Sequence, residues 1–293
     1  MGVVDYIQTI IDGALFGATY SLIGIGFTLV FGVMQRINMS YASTSLAGAY
    51  CGLMGQHLLG LPLWCAFPLS IFASGLIGYL VYLTCFRFIP VASPLASLMA
   101  TVGVLLFVEE MIVRATAGTP HNFPAIFEGN SIEIGAFVLR ADLVGVFLVG
   151  VLTMILLMAV LFRARLGVAT RAVAQQPIAA QLCGMRLQTV NGLTFVIAGL
   201  LGGVAGAMTG AAVGILSPLI TIPVTVKGLI VTVIGGLGSI PGAIVAGLMV
   251  GAFENLFQAL RSVSERDIYV MLLLFAFLVL RPGGIVSPGR GRD

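Results

Sequence analysis

Nine apolar stretches separated by short polar breaks run along the chain: Ile7–Met34, Ala42–Leu59, Leu63–Phe86, Pro94–Val113, Leu143–Phe162, Asn191–Ile215, Val224–Ile234, Ala243–Phe257 and Ile268–Leu280. A helix takes ~20 mostly apolar residues to cross ~30 Å of hydrocarbon. The first six runs suit that length, and the last three are short for it. The stretches are continuous rather than alternating every second residue, which excludes the β-barrel pattern. Between the seventh and eighth runs lies Gly235-Gly236-Leu237-Gly238-Ser239-Ile240-Pro241-Gly242, too rich in glycine to continue a regular helix. The pattern therefore predicts an all-α polytopic membrane protein of about eight or nine transmembrane helices. A glycine-rich broken hairpin is expected in its C-terminal half.

Composition supports this reading. Of the 293 residues, 59% are hydrophobic and only 9% charged, and the mean hydropathy is +1.12. A soluble domain carries roughly a quarter of its residues charged, so most of the outer surface is expected to face lipid. The N-terminus lacks a basic n-region and its first apolar stretch is too long for an h-region, so it reads as the first span rather than a signal peptide. Cys51, Cys65, Cys85 and Cys183 show no CxxC spacing, and His57 and His121 lie far apart. No metal or disulfide site is expected from them.

Charge sets a direction, because Lys and Arg concentrate in short cytoplasmic loops. Arg163–Gln188 carries Arg163, Arg165, Arg171 and Arg186 without an acid, and the tail carries Arg281, Arg290 and Arg292. Alternating spans bring Arg36 and Arg87 to the same side, giving nine basic residues against the single acid Asp293. The other side receives the loop Ala115–Asp142 and the cluster Arg261, Glu265, Arg266, Asp267. The N-terminus is then outside and the C-terminus inside, which requires an odd number of spans.

Glycines recur at spacings of four: Gly48 and Gly52, Gly199 and Gly203, Gly202 through Gly206 and Gly210 to Gly214, and Gly247 and Gly251. Small residues so spaced let helix backbones approach in lipid, either within one subunit or at a subunit interface. Two intramembrane charges stand out. Lys227 and Glu254 each lie about twelve residues from the glycine turn, or about 18 Å at ~1.5 Å per residue. An unpaired charge at the bilayer centre costs at least ~2.5 kcal/mol, so either the two pair or each snorkels to water. Asp12, Glu109 and Glu110 read as anchors near span ends, with Arg114 one turn from Glu110.

The polar segment Arg171–Met185 holds adjacent alanines, Ala179 and Ala180, between Pro177, suited to a first helical turn, and Gly184, suited to a helix C′ position. It reads as a short surface helix, resting on the membrane or docking a soluble partner. The octapeptide at Gly235–Gly242 lacks the Gly-Lys-Ser/Thr of a Walker A loop. It reads as a tight turn or as a broken-helix wall or gate of a pathway. No HExxH or GxSxG pattern marks an intramembrane enzyme.

Several of these stretches together resemble the permease subunits of bacterial branched-chain amino acid ABC importers, of the high-affinity H type. Arg171-Ala-x-Ala, then Ala179-Ala180-x-Leu182-x-Gly184 and Phe195, is similar to the loop through which such permeases contact their ATPase. Gly24-Ile25-Gly26-Phe27-Thr28-Leu29-Val30-Phe31-Gly32-Val33 is similar to the family's first-span signature. Lys227-Gly228 through Ala243 is similar to its late glycine motif, and Leu280-Arg281-Pro282-Gly283-Gly284 to its closing motif. Two departures occur. The family's usual Asn-x-Ala-His-Gly is here Asn38-Met39-Ser40-Tyr41-Ala42, with Ser43 following, and its coupling glutamate is replaced by Ile178.

The resemblance implies a single permease domain over residues 1–293, with a cytoplasmic coupling loop at 163–188 and a periplasmic loop at 115–142. It implies coupling through Arg171, Pro177, Ala179, Ala180, Leu182 and Gly184. A pathway or gate is implied at Asn38, Tyr41 and Ser43 and at Gly235, Gly236, Gly238, Ser239, Pro241 and Gly242. No cofactor is expected on this chain, with ATP and Mg²⁺ used by partners. Those partners are a second related permease, two cytoplasmic ATP-binding subunits, a periplasmic solute-binding protein and the lipid bilayer, with no nucleic acid. The expected place is the bacterial inner membrane. The competing expectation is an ion- or proton-driven transporter acting alone.

Overall fold

The computed structural model describes residues 3–60, 62–90, 93–124, 131–134, 137–261, 265–281 and 283–286. The chain folds into α1 (Val3–Met34), α2 (Tyr41–Leu59), α3 (Leu63–Val81), α4 (Pro94–Ala115), α5 (Ala141–Arg163), α6 (Arg165–Gln175), α7 (Pro177–Leu182), α8 (Leu187–Val213), α9 (Thr221–Gly235), α10 (Ile240–Leu260) and α11 (Arg266–Leu280). Seven helical spans are long and apolar enough to cross a membrane among the described residues, with α9 counted from Pro218 through the 3-10 turn that leads into it. The other two apolar runs form α2 and the 15-residue α11, so every predicted run is one helix. Arg290, Arg292, Asp293 and Glu128 lie outside the described residues.

The elements form two environments. α1 and α8 are the centre, with 78% of their most apolar window buried, whereas that share is 22% in α4 and 33% in α5. Apolar residues all round a helix indicate lipid on the exposed sides, and the outward residues of α4 and α5 are Leu106, Phe107, Leu148, Leu152 and Ile155. Polar side chains without hydrocarbon-compatible partners are turned inward. Ser21 Oγ donates to Ile244 O at 2.9 Å, and Thr232 Oγ1 to Gly24 O at 3.1 Å.

Glycine seams hold the centre together. A Cβ on Gly251 would sit 2.5 Å from both Gly13 O and Gly17 Cα, and one on Gly17 would sit 2.7 Å from Gly247 O. The two four-residue spacings thus run antiparallel, and α1 and α10 touch backbone to backbone. Gly48 and Gly52 face Ser70 and Ser74 of α3, while Gly199 and Gly203 face the same stretch of α3 from the other side. Gly202 and Gly206 receive Ser45 of α2. Of the spaced glycines singled out in the sequence, Gly48, Gly52, Gly199, Gly202, Gly203, Gly206, Gly247 and Gly251 therefore pack against helices of this same chain, whereas Gly210 meets Phe123 and Leu216 and Gly214, at φ +75°, has nothing within 4 Å of its Cβ position.

Some irregularities depart from the sequence pattern. The third run does not stay α-helical to Phe86, because Tyr82–Phe86 is a π-helical turn. In the loop 115–142, β2 (Ser131–Ile134) pairs antiparallel with β3 (Phe137–Arg140). β1 (His121–Asn122) pairs with β4 (Ile215–Leu216), just beyond α8. Gln8 of α1 clamps β3, its Nε2 donating to Val138 O at 2.7 Å and its Oε1 accepting from Val138 N at 3.2 Å.

Candidate functional site: the glycine turn, the basic helix pair and a buried charge network

The segment 163–188 folds into two helices, not the single short one expected. The break is at Gln176, whose φ of −147° and ψ of 96° are extended. A residue before proline is pushed out of the α region, so Pro177 ends α6 and begins α7 at once. α7 closes with a Schellman motif: Met185 N donates to Ala180 O at 3.1 Å and Gly184 N to Gln181 O at 2.9 Å. Gly184 there has φ +83°, which a side chain would strain.

This helix pair has two faces. Ala180 and Val173 are buried and pack with Val33 and Val190 at the ends of α1 and α8. Pro177, Ala179 and Gly184 are exposed. Ile178 and Leu182 stand out fully, at 76% and 85% exposure. Arg171, on α6, lies 4.9 Å above the Phe162 ring, a cation–π contact.

Arg171 also lines a cavity of about 320 Å³ whose other walls include Gly32, Gly238, Ser239 and Pro241. Helix α6 and the glycine turn, 50 residues or more apart in sequence, therefore share one space. The turn itself is built for close approach. Gly236 and Gly238 have φ of +101° and +88°. Gly235 and Gly242 touch so closely that a Cβ on Gly242 would collide with Gly235 O. Ser239 Oγ caps α10 by accepting from Gly242 N at 3.2 Å, with Pro241 in the first turn. The closing motif covers the outside: Ile285 N donates to Ile234 O at 2.8 Å, and a Cβ on Gly284 would lie 2.5 Å from Gly236 Cα.

Asn38, Tyr41 and Ser43 are all buried, and their polar atoms are used within the protein. Asn38 Oδ1 accepts from Ser40 Oγ at 2.8 Å, Tyr41 OH donates to Ala198 O at 3.0 Å, and Ser43 Oγ donates to Ser40 O at 2.8 Å. The Tyr41 ring packs edge-on against Phe27 at 5.1 Å and fills the notch left by Gly26. The tyrosine standing where the family pattern has histidine thus pins the start of α2 to α1 and α8.

Lys227 Nζ lies 2.7 Å from Glu254 Oε1, with both side chains buried. The group is larger than a pair. Asp267 Oδ1 is 3.1 Å from the same ammonium, Arg266 Nε is 3.5 Å from Glu254, and the Tyr20 hydroxyl is 3.5 Å from Lys227 Nζ. Sequence reasoning placed Arg266 and Asp267 in a separate outer cluster and passed over Tyr20. The missed signal is that α11 begins with these two charges at the level where α10 carries Glu254. Glu110 and Arg114 form an exposed ion pair at 2.9 Å, and Asp12 accepts from Gln8 Nε2 at 3.2 Å.

The chain matches the sequence family described as "Branched-chain amino acid transport system / permease component" over residues 9–281. It is 28% identical to the high-affinity branched-chain amino acid transport system permease protein BraD of Pseudomonas aeruginosa, covering 97% of each chain. It is also 28% identical to the LivH protein of the same description from Escherichia coli, over 96% of each. Among solved structures, a chain of "PsaBC from Streptococcus pneumoniae in complex with Fab" has a similar fold. Its TM-score is 0.50 at 16% identity, over 96% of this chain and 91% of that one.

Proposed function

Because the chain belongs to the branched-chain amino acid transport system permease family, we propose that it imports a branched-chain amino acid or a closely related small solute. In this reading it is the non-catalytic membrane subunit of an ABC importer in a bacterial inner membrane. A family of this kind works with ATP-binding and solute-binding partners. Here they are a second related permease, two cytoplasmic ATPases that use ATP and Mg²⁺, and a periplasmic binding protein. Residues 1–293 form one permease domain, 115–142 its periplasmic loop and 163–188 its coupling loop.

One observation carries the proposal. α7 buries Ala180 against the inner ends of α1 and α8 while holding Ile178 and Leu182 out at 76% and 85% exposure. Two bulky apolar side chains held on a six-residue helix beside basic residues suit a protein partner that covers them. A push on α7 reaches α6, and Arg171 of α6 shares a cavity with Gly238 and Pro241. Gly235, Gly236, Gly238, Ser239, Pro241 and Gly242 then act as the inner gate. Asn38, Tyr41 and Ser43 position the wall formed by α2.

Replacing Ile178 and Leu182 together by Asp tests this. Neither side chain supports the fold, so the purified variant should melt within a few degrees of the parent, as surface changes do (within about ±0.5 kcal/mol). Burying even one unpaired charge at an interface costs several kcal/mol, so the ATPases should no longer co-purify and ATP-driven leucine uptake should fall at least about tenfold. Uptake that continues without ATPases and follows an ion gradient would replace the ABC reading with the stand-alone transporter.

A further inference from the structure

The cavity that Arg171 shares with the glycine turn reaches the lipid-facing surface of the protein. Phe162 lines it and is exposed. Leu148, Leu152, Ile155 and Phe162 succeed one another at four, three and seven residues, which puts them on one face of α5, and all four are exposed. That stripe is about 21 Å long at ~1.5 Å per residue, more than the ~15 Å of hydrocarbon in one leaflet of a ~30 Å core. It stops beside Arg163, where α5 ends and the basic segment begins. The cavity therefore lies at the level where lipid chains meet their headgroups.

The walls divide in the same way. Leu29, Val33, Met158, Leu161 and Ile240 make most of the lining apolar, and Arg171 is its one charged residue among the described residues. Arg171 is itself exposed. Its guanidinium stacks 4.9 Å above the Phe162 ring, an arrangement that occupies the flat face and leaves the N–H edges to donate. Among the described residues the ion pairs belong to Arg114, Arg140, Lys227 and Arg266, and no carboxylate pairs with Arg171. A planar fork of donors of this kind suits a phosphate.

We propose that this cavity binds an anionic phospholipid of the cytoplasmic leaflet, with its phosphate on Arg171 and the start of an acyl chain against Met158, Leu161 and Phe162. The rest of the chain follows the α5 stripe. A water-soluble anion would leave the apolar walls unused, and an uncharged lipid would leave the guanidinium unmatched. The space of about 320 Å³, about eleven water volumes at ~30 Å³ each, takes part of a lipid but not a helix ~10 Å across. Basic pockets between membrane helices on the cytoplasmic side select lipids by headgroup charge. A lipid seated here lies between α6 and the glycine turn, on the route that a push on α7 takes in the import reading. The binding itself does not depend on that reading.

The test uses the full chain in bilayers of phosphatidylglycerol and phosphatidylcholine in equal amounts, with first one lipid and then the other brominated in its acyl chains. Trp64→Phe removes the single tryptophan of the sequence, and Phe162→Trp, which keeps an aromatic face for Arg171, puts a reporter at the cavity mouth. Quenching there should favour phosphatidylglycerol about fivefold, as one basic residue near the surface gives. Leu148→Trp, at the far end of the same stripe, should show no preference. Adding Arg171→Gln to Phe162→Trp should bring the preference to about one, and Arg171→Lys should keep most of it. Equal quenching by the two lipids at Phe162→Trp overturns the proposal, as does a preference equally large at Leu148→Trp or one that survives Arg171→Gln. Loss of the preference on adding inorganic phosphate at constant ionic strength would assign the site to a free anion and overturn the lipid. None of these outcomes bears on the import reading, which the paired Ile178 and Leu182 variant tests.

Discussion

Lys227→Met is expected to be the most damaging single change in the membrane core, and adding Glu254→Gln to it should restore much of what it loses. The ammonium sits between two carboxylates, 2.7 Å from Glu254 and 3.1 Å from Asp267. Removing it leaves both acids facing each other, with Arg266 at 3.5 and 3.7 Å as the remaining cation. Breaking a buried pair from one side costs ~3–5 kcal/mol, while replacing both partners is often close to neutral. Glu254→Gln alone should be milder, because Lys227 keeps Asp267. Exchange of the two charges, Lys227→Glu with Glu254→Lys, should recover only in part, since Asp267 would then meet a carboxylate. Thermal unfolding of the detergent-purified chain reads these differences. A double neutral variant no more stable than Lys227→Met would remove the network as a source of stability.

That network also shows which parts of the fold were visible in the sequence and which were not. Depth was visible: counting residues from the glycine turn places Lys227 and Glu254 level with one another, and α9 and α10 are antiparallel neighbours. The third partner was not. Arg266 and Asp267 lie between apolar runs, where charge is normally solvated, and only the packing of α11 beside α9 and α10 brings Asp267 to the ammonium. Tyr20 is hidden for another reason, since a tyrosine in an apolar helix gives no sign of which neighbour its hydroxyl meets. The helices themselves were legible because lipid demands long apolar runs, and their ends fall within a few residues of the runs. The strands were not, since β1 and β4 have only two residues each and exist through the distant pairing of His121 with Leu216 and Asn122 with Ile215. The α6–α7 break was within reach, because Pro177 disfavours a helical Gln176. Reading one helix there overlooked that rule's effect on the residue before.

Gly251→Ala and Gly103→Ala should shift stability in opposite directions, although both place a methyl group on a glycine within a transmembrane helix. At Gly103 a Cβ meets nothing within 4 Å, so the substitution gains helix propensity, up to ~1 kcal/mol. At Gly251 it would sit 2.5 Å from Gly13 O and from Gly17 Cα. These are backbone atoms that cannot rotate away, so α1 and α10 must separate along their whole seam. Overpacking of this kind costs ~1–3 kcal/mol, enough to overcome the propensity gain. Gly13→Ala strains the same seam from the other helix, with its Cβ 2.5 Å from Gly251 O. The two seam variants should therefore be less than additive, because the second methyl enters a seam the first has already opened. Unfolding temperatures of the four chains, Gly103→Ala, Gly251→Ala, Gly13→Ala and the seam double, decide the matter. Equal tolerance at Gly251 and Gly103 would mean that α1 and α10 are not held by backbone contact. The structure instead makes that contact the axis on which Tyr20, Lys227 and Glu254 are brought together.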